Sequence, residues 1–159
     1  MSSMEQLYQQ VILDHARAPH GRGLAAAGPH TGESHQVNPT CGDEVTLRVD
    51  VDHGRVAALS WEGEGCSISQ ASVSVLHDLV TGTPLDEVDA LAAQFRELMG
   101  SRGAGLDDDA AERLGDATAF TGVAKYPARI KCALLGWAAL QDALIRTGAT
   151  APAGTKEDA

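Results

Sequence analysis

The chain has 159 residues, of which 43% are hydrophobic and 21% charged, an ordinary globular balance with enough apolar material for one core. Its 22 acidic residues outnumber 12 basic ones, and the formal charge of -10 repels phosphates, which argues against a nucleic-acid partner. No apolar run reaches the roughly 18 residues a membrane helix needs, and the opening MSSMEQLYQQ has neither a basic n-region nor an apolar h-region, so the expectation is a cytoplasmic protein with no membrane partner.

Met4, Leu7, Tyr8, Val11, Ile12 and His15 form one stripe at helical spacing, which predicts a first helix over residues 3–17. The segment RAPHGRGLAAAGPHTGES has glycine, proline and histidine without a period and reads as a loop. SHQVNPT forms a strand ending near Pro39. Val45, Leu47, Val49 and Val51 then alternate with polar residues in a half-buried strand, His53-Gly54 makes a two-residue turn, and residues 55–62 return as another strand. The result is a small antiparallel sheet of about three strands.

From Gly65 the period becomes helical, through Ile68, Ala71, Ser72, Val75, Leu76 and Leu79. Ser67 to Gln70 fit a capping box with Ser67 as the N-cap. Thr83 and Pro84 read as the cap and first position of the next helix, whose core face carries Leu85, Val88, Leu91, Ala92, Phe95 and Leu98. GSRGAG lacks the features of a phosphate-binding loop and reads as a hinge or linker. A loop and a short helix opening on Asp107, Asp108 and Asp109 follow, and a last helix begins near Tyr126-Pro127. Helices segregated from strands predict an α+β domain with helices on one face of the sheet, a single unit over 1–148, and a disordered tail over 149–159.

The three cysteines are an odd number in a chain without an export signal, which argues against a disulfide framework and leaves metal binding or thiol chemistry. Cys41 stands on a glycine-containing turn, Cys66 just before a helix, and Cys132 in the first turns of the last helix. Helix N-termini favour anions, so Cys66 and Cys132 are both placed for thiolate chemistry. Lys125, Arg129 and Lys131 gather cations near Cys132 that would offset clustered thiolates. Asp43 is the natural fourth ligand beside three thiolates, because Gly42 lets the turn fold so that Cys41 and Asp43 converge. Such a set suits zinc or an iron-sulfur cluster, and spacing does not separate the two. Cysteines that merely fill apolar space remain the alternative. Among the histidines, His15 reads as a packed, hydrogen-bonded side chain and His53 as solvated in its turn. His77 rides the helix beyond Cys66, and His20, His30 and His35 lie in or near the loop before Cys41, from which one could reach the site, although no single one of them is expected to be the ligand.

LYQQVILDHARAPHGRG, NPTCGDEV, GEGCSISQASVS and RIKCALLGWAAL, in that order, resemble the U-type iron-sulfur cluster assembly family, which includes IscU, SufU and the N-terminal part of NifU. The likeness runs from Leu7 to about Gly148 and implies a SufE/IscU-like fold. Lys131 stands where IscU-like members have histidine, YPARIKC has one proline rather than two, and the Cys66–Cys132 interval carries extra residues near 100–120. All three are similar to the SufU branch. The resemblance implies a zinc site of Cys41, Asp43, Cys66 and Cys132, with Gly42, Arg129 and Lys131 in support. It further implies that Cys41 accepts persulfide sulfur from a pyridoxal-phosphate cysteine desulfurase of the SufS type, whose histidine displaces Cys41 from zinc, and relays it to a downstream SUF scaffold. The alternative within the family is a scaffold that transiently holds an Fe-S cluster.

Overall fold

The computed structural model describes residues 3–40 and 42–148. Helix α1 (Ser3–Arg17) leads through a loop into strands β1 (Thr31–Asn38), β2 (Asp43–Asp52) and β3 (Arg55–Glu64). Helices α2 (Ser67–Val80), α3 (Leu85–Met99) and α4 (Asp108–Leu114) follow, then a 3-10 stretch (Gly115–Lys125) and helix α5 (Pro127–Thr147). The sheet runs β1-β2-β3, antiparallel throughout. The architecture is the expected α+β one.

Strand β2 sits in the middle, and its period of two places Val45, Leu47, Val49 and Val51 on the buried face. Asp43 is in phase with them and is buried too. His53 and Gly54 have φ of 53° and 73°, the two positive values that a two-residue hairpin turn of this twist needs. Helix α5 lies across β1 and β2, with α2 beside it, tied by a bond from Ser72 Oγ to the Ala133 carbonyl at 2.6 Å. The Phe95 ring stacks on Trp137 at 4.7 Å and meets Phe120 edge-on at 5.9 Å, so α3, α5 and the 3-10 stretch share one core.

Several local expectations shift. Cys66, not Ser67, is the N-cap of α2, and Pro84, not Thr83, is the N-cap of α3. Thr83 instead bonds back to the Leu79 carbonyl at 2.9 Å and finishes α2. GSRGAG is a hydrogen-bonded connection between α3 and α4, in which Ser101 Oγ donates to Leu98 O at 2.7 Å and accepts from Gly105 N–H at 3.1 Å. The residues beyond α4 form the 3-10 stretch, where Ala117 and Phe120 are fully buried. Helix α1 has the expected bounds, yet Met4 and Leu7 at its start are 53% and 58% exposed. Its second half, through His15, meets α2 and the 3-10 stretch. The tail expected over 149–159 lies outside the described residues.

Candidate metal centre

Asp43 opens β2, Cys66 caps α2 and Cys132 lies in the second turn of α5, and the fold brings the three together. Their ligand atoms, two Sγ and one carboxylate oxygen, all lie within 4.8 Å of one another. Asp43 and Cys132 are buried, whereas Cys66 is exposed, so the cluster opens to solvent on the Cys66 side.

The Asp43 carboxylate has two tasks. Its Oδ1 accepts from the Cys66 backbone N–H at 3.0 Å, and its Oδ2 stands 3.6 Å from Cys66 Sγ. The first contact explains the shifted cap. A carboxylate delivered from the sheet serves the N-terminus of α2, and the Cys66 side chain makes no cap bond. Ser69 Oγ donates to the Cys66 carbonyl at 3.1 Å and lies 4.0 Å from its sulfur. Gly65 permits this closeness, since a Cβ there would fall 2.6 Å from both Asp43 Oδ1 and Ser69 Oγ. Cys132 Sγ points back to the Ala128 carbonyl at 3.7 Å.

Cys41 lies outside the described residues. Of its neighbours, Gly42 has φ +77°, a conformation that favours glycine, and its N–H donates to Asn38 O at 2.8 Å. Thr40 N–H donates to Asn38 Oδ1 at 3.2 Å. Arg129 and Lys131 are exposed. The Arg129 guanidinium rests over the Tyr126 ring at 5.2 Å, and the Lys125 stem runs against Gly103. A groove of about 400 Å³ opens between α1, the start of α2 and the start of α5, lined by Tyr8, Ile12, Ile68, Val123, Tyr126 and Arg129 among others.

Two thiols and a carboxylate on a glycine cradle are a donor set that a four-coordinate zinc ion accepts, and soft thiolates also ligate iron-sulfur clusters. No histidine joins this trio among the described residues. His15 is packed and bonded, with Nδ1 2.7 Å from Ser74 Oγ and Nε2 3.1 Å from Asp116 Oδ2. His35 faces Glu44 at 3.4 Å. Sequence reasoning missed Gly65 and Ser69. A glycine directly before a cysteine at a helix start was the signal for the first, and nothing in the sequence marked the second.

The NifU-like N-terminal domain family matches residues 7–144. The chain is 38% identical over 148 residues to the iron-sulfur cluster assembly scaffold protein IscU of Streptococcus pyogenes serotype M1, covering 92% of this chain and 88% of that one. It is 37% identical over 140 residues to the zinc-dependent sulfurtransferase SufU of Bacillus subtilis, covering 88% and 90%. Among solved structures, a candidate iron-sulfur cluster assembly scaffold of the SUF system from Fervidobacterium islandicum superposes with a TM-score of 0.72 at 32% identity, over 90% of this chain and 99% of that one.

Proposed function

The chain belongs to the NifU-like N-terminal domain family of iron-sulfur cluster assembly proteins, and on that premise we propose that it is a zinc-dependent sulfurtransferase serving a pyridoxal-phosphate cysteine desulfurase. The observation that carries the reading is the meeting of Asp43, Cys66 and Cys132 around an opening at Cys66. Those three, with Cys41, would hold the ion. Bound zinc would keep the thiols deprotonated while damping their nucleophilicity until the partner docks.

The reaction is a thiol exchange. The Cys41 thiolate attacks the outer sulfur of the desulfurase cysteine persulfide, and a new S–S bond forms at Cys41. The old S–S bond breaks, and its electron pair stays on the desulfurase cysteine, which leaves as thiolate. Asp43 stays in place throughout because its other oxygen is committed to the Cys66 N–H. Lys131 directly precedes Cys132, and a protonated ammonium donates hydrogen bonds but has no lone pair for a metal, so it adds charge rather than a ligand.

The test pairs metal analysis of protein purified without added metal with desulfurase turnover. About one zinc per chain is expected, together with stimulation of the desulfurase that Cys41→Ala abolishes and chelation removes. Undiminished stimulation by the Cys41→Ala protein would sink the reading. A second reading, a scaffold that transiently holds an Fe-S cluster, is supported by the equally similar relative named IscU. Sulfide-to-iron charge-transfer absorption after anaerobic reconstitution, followed by transfer of the intact cluster to an apo-protein, would favour it.

A further inference from the structure

A second group of metal-ligating side chains lies toward the other end of α2. One ring nitrogen of His15, one of His20 and one carboxylate oxygen of Asp78 all fall within 4.8 Å of one another. The three come from α1, the loop that follows it, and the last turns of α2. None belongs to the Asp43–Cys66–Cys132 cluster.

The group is held in place from several sides. The buried His15 ring is fixed through Nδ1 to Ser74 Oγ at 2.7 Å, which leaves Nε2 toward Asp116 Oδ2 at 3.1 Å. The His20 backbone is fixed twice, its N–H donating to the same Ser74 Oγ at 2.8 Å and its carbonyl accepting from Trp61 Nε1 at 2.8 Å. His20 Nδ1 meets Asp78 Oδ2 at 2.7 Å. The other oxygen, Oδ1, is occupied by His77 Nδ1 at 3.0 Å, which aims Oδ2 inward. A metal-binding histidine commonly has its second nitrogen bonded to an outer partner, and Ser74 and Asp116, each on one nitrogen of His15, supply such a partner whichever nitrogen faces the ion.

From this arrangement we propose that His15, His20 and Asp78 form a second metal site for a divalent transition cation of the Zn²⁺ class, with solvent completing the shell. Two neutral imidazoles and one carboxylate are a donor set that a divalent cation accepts, with a water in the remaining position. Ligands about 2.0 Å from a tetrahedral ion stand about 3.3 Å apart, so the His20–Asp78 contact at 2.7 Å opens only slightly and His15, within 4.8 Å of both, closes in to admit it. Imidazole with carboxylate selects zinc and its first-row neighbours over magnesium or calcium. The inference does not rest on the sulfur-transfer reading, because none of its ligands is a thiol.

The test is Zn²⁺ titration, by calorimetry, of the full chain stripped of metal with a chelator, with imidazole nitrogen shifts followed by NMR. Two equivalents are expected for the wild type. His20→Ala and Asp78→Asn, both at partly exposed positions, should weaken the second equivalent at least about tenfold and leave the first intact. Cys66→Ser should do the reverse. Co²⁺ in the second site should give visible bands without thiolate charge transfer. Zn²⁺ uptake that His20→Ala and Asp78→Asn leave unmoved, with no change at the His15 and His20 nitrogens, overturns the proposal.

Discussion

At the start of α2 an exposed cysteine stands beside a buried carboxylate and a buried thiol, while in its last turns a carboxylate faces two imidazoles, one buried and one at the surface. The first group is soft and thiol-rich, and its aspartate comes from the sheet. The second is nitrogen and oxygen only, and its parts come from α1 and the loop behind it, which is stitched to β3 by Gly23 N–H to Trp61 O at 2.7 Å and Trp61 N–H to Gly21 O at 3.0 Å. One helix thus joins two sets of candidate ligands whose positions depend on different neighbours. Their chemistries differ as their scaffolds do, and each should be breakable without the other.

The largest effect is expected at the sheet-built end. Asp43→Ala removes a buried acceptor and a candidate ligand together, and it should cost about 1–3 kcal/mol for the orphaned Cys66 N–H along with most of the zinc affinity of the thiol cluster. Asp43→Asn, which keeps an oxygen for that N–H, should recover stability in chemical denaturation but not zinc affinity. Equal stability losses in both variants would contradict the two-task assignment. A smaller effect belongs to the loop-built end, where Trp61→Phe deletes the bond to the His20 carbonyl. About 1 kcal/mol is expected from thermal melts, with altered His20 resonances and unchanged metal binding at Cys66.

The smallest effect touches neither end and serves as the control. Ser34 donates to Asp142 at 2.6 Å and Arg146 pairs with it at 3.0 Å, tying β1 to α5, and these two bonds hold the Asp142 carboxyl below its ordinary value. A carboxyl depressed in the folded state stabilises the fold above its unfolded pKa, and that contribution is lost as pH falls through the folded pKa. The difference in Tm between wild type and Asp142→Asn should therefore be small near neutrality and vanish in acid. Persistence of the full difference in acid would show that lost packing, not charge, is responsible.

Much of the fold was legible because its periods are strong. The α1 stripe, the alternation in β2 and the Tyr126-Pro127 helix start each follow from one local rule. The α2 cap was misplaced by one residue because its acceptor is Asp43, far away in sequence, and no capping box records a tertiary partner. The 3-10 stretch was missed because its glycines and short apolar residues carry no helical period, although Phe120 needed a place in the core. Periodicity foretold a stripe on α1, but it could not say that Met4 and Leu7 would stay uncovered. Candidate ligands were visible as residue types, and Asp43, Cys66 and Cys132 do meet. The nearness of His20 to Asp78 was not visible, because it depends on how an aperiodic loop lies against α2.

Asp43 shares its side of β2 with Val45, Leu47, Val49 and Val51. In a strand, face is a matter of parity, and a slip of one residue sends every inward side chain out. A chain paired in the wrong register would bare its valines and turn its aspartate away from the cysteines in the same stroke. An ion held by Asp43, Cys66 and Cys132 would thus be taken up only by correctly registered chains, and loading would act as a chemical proofreading of folding.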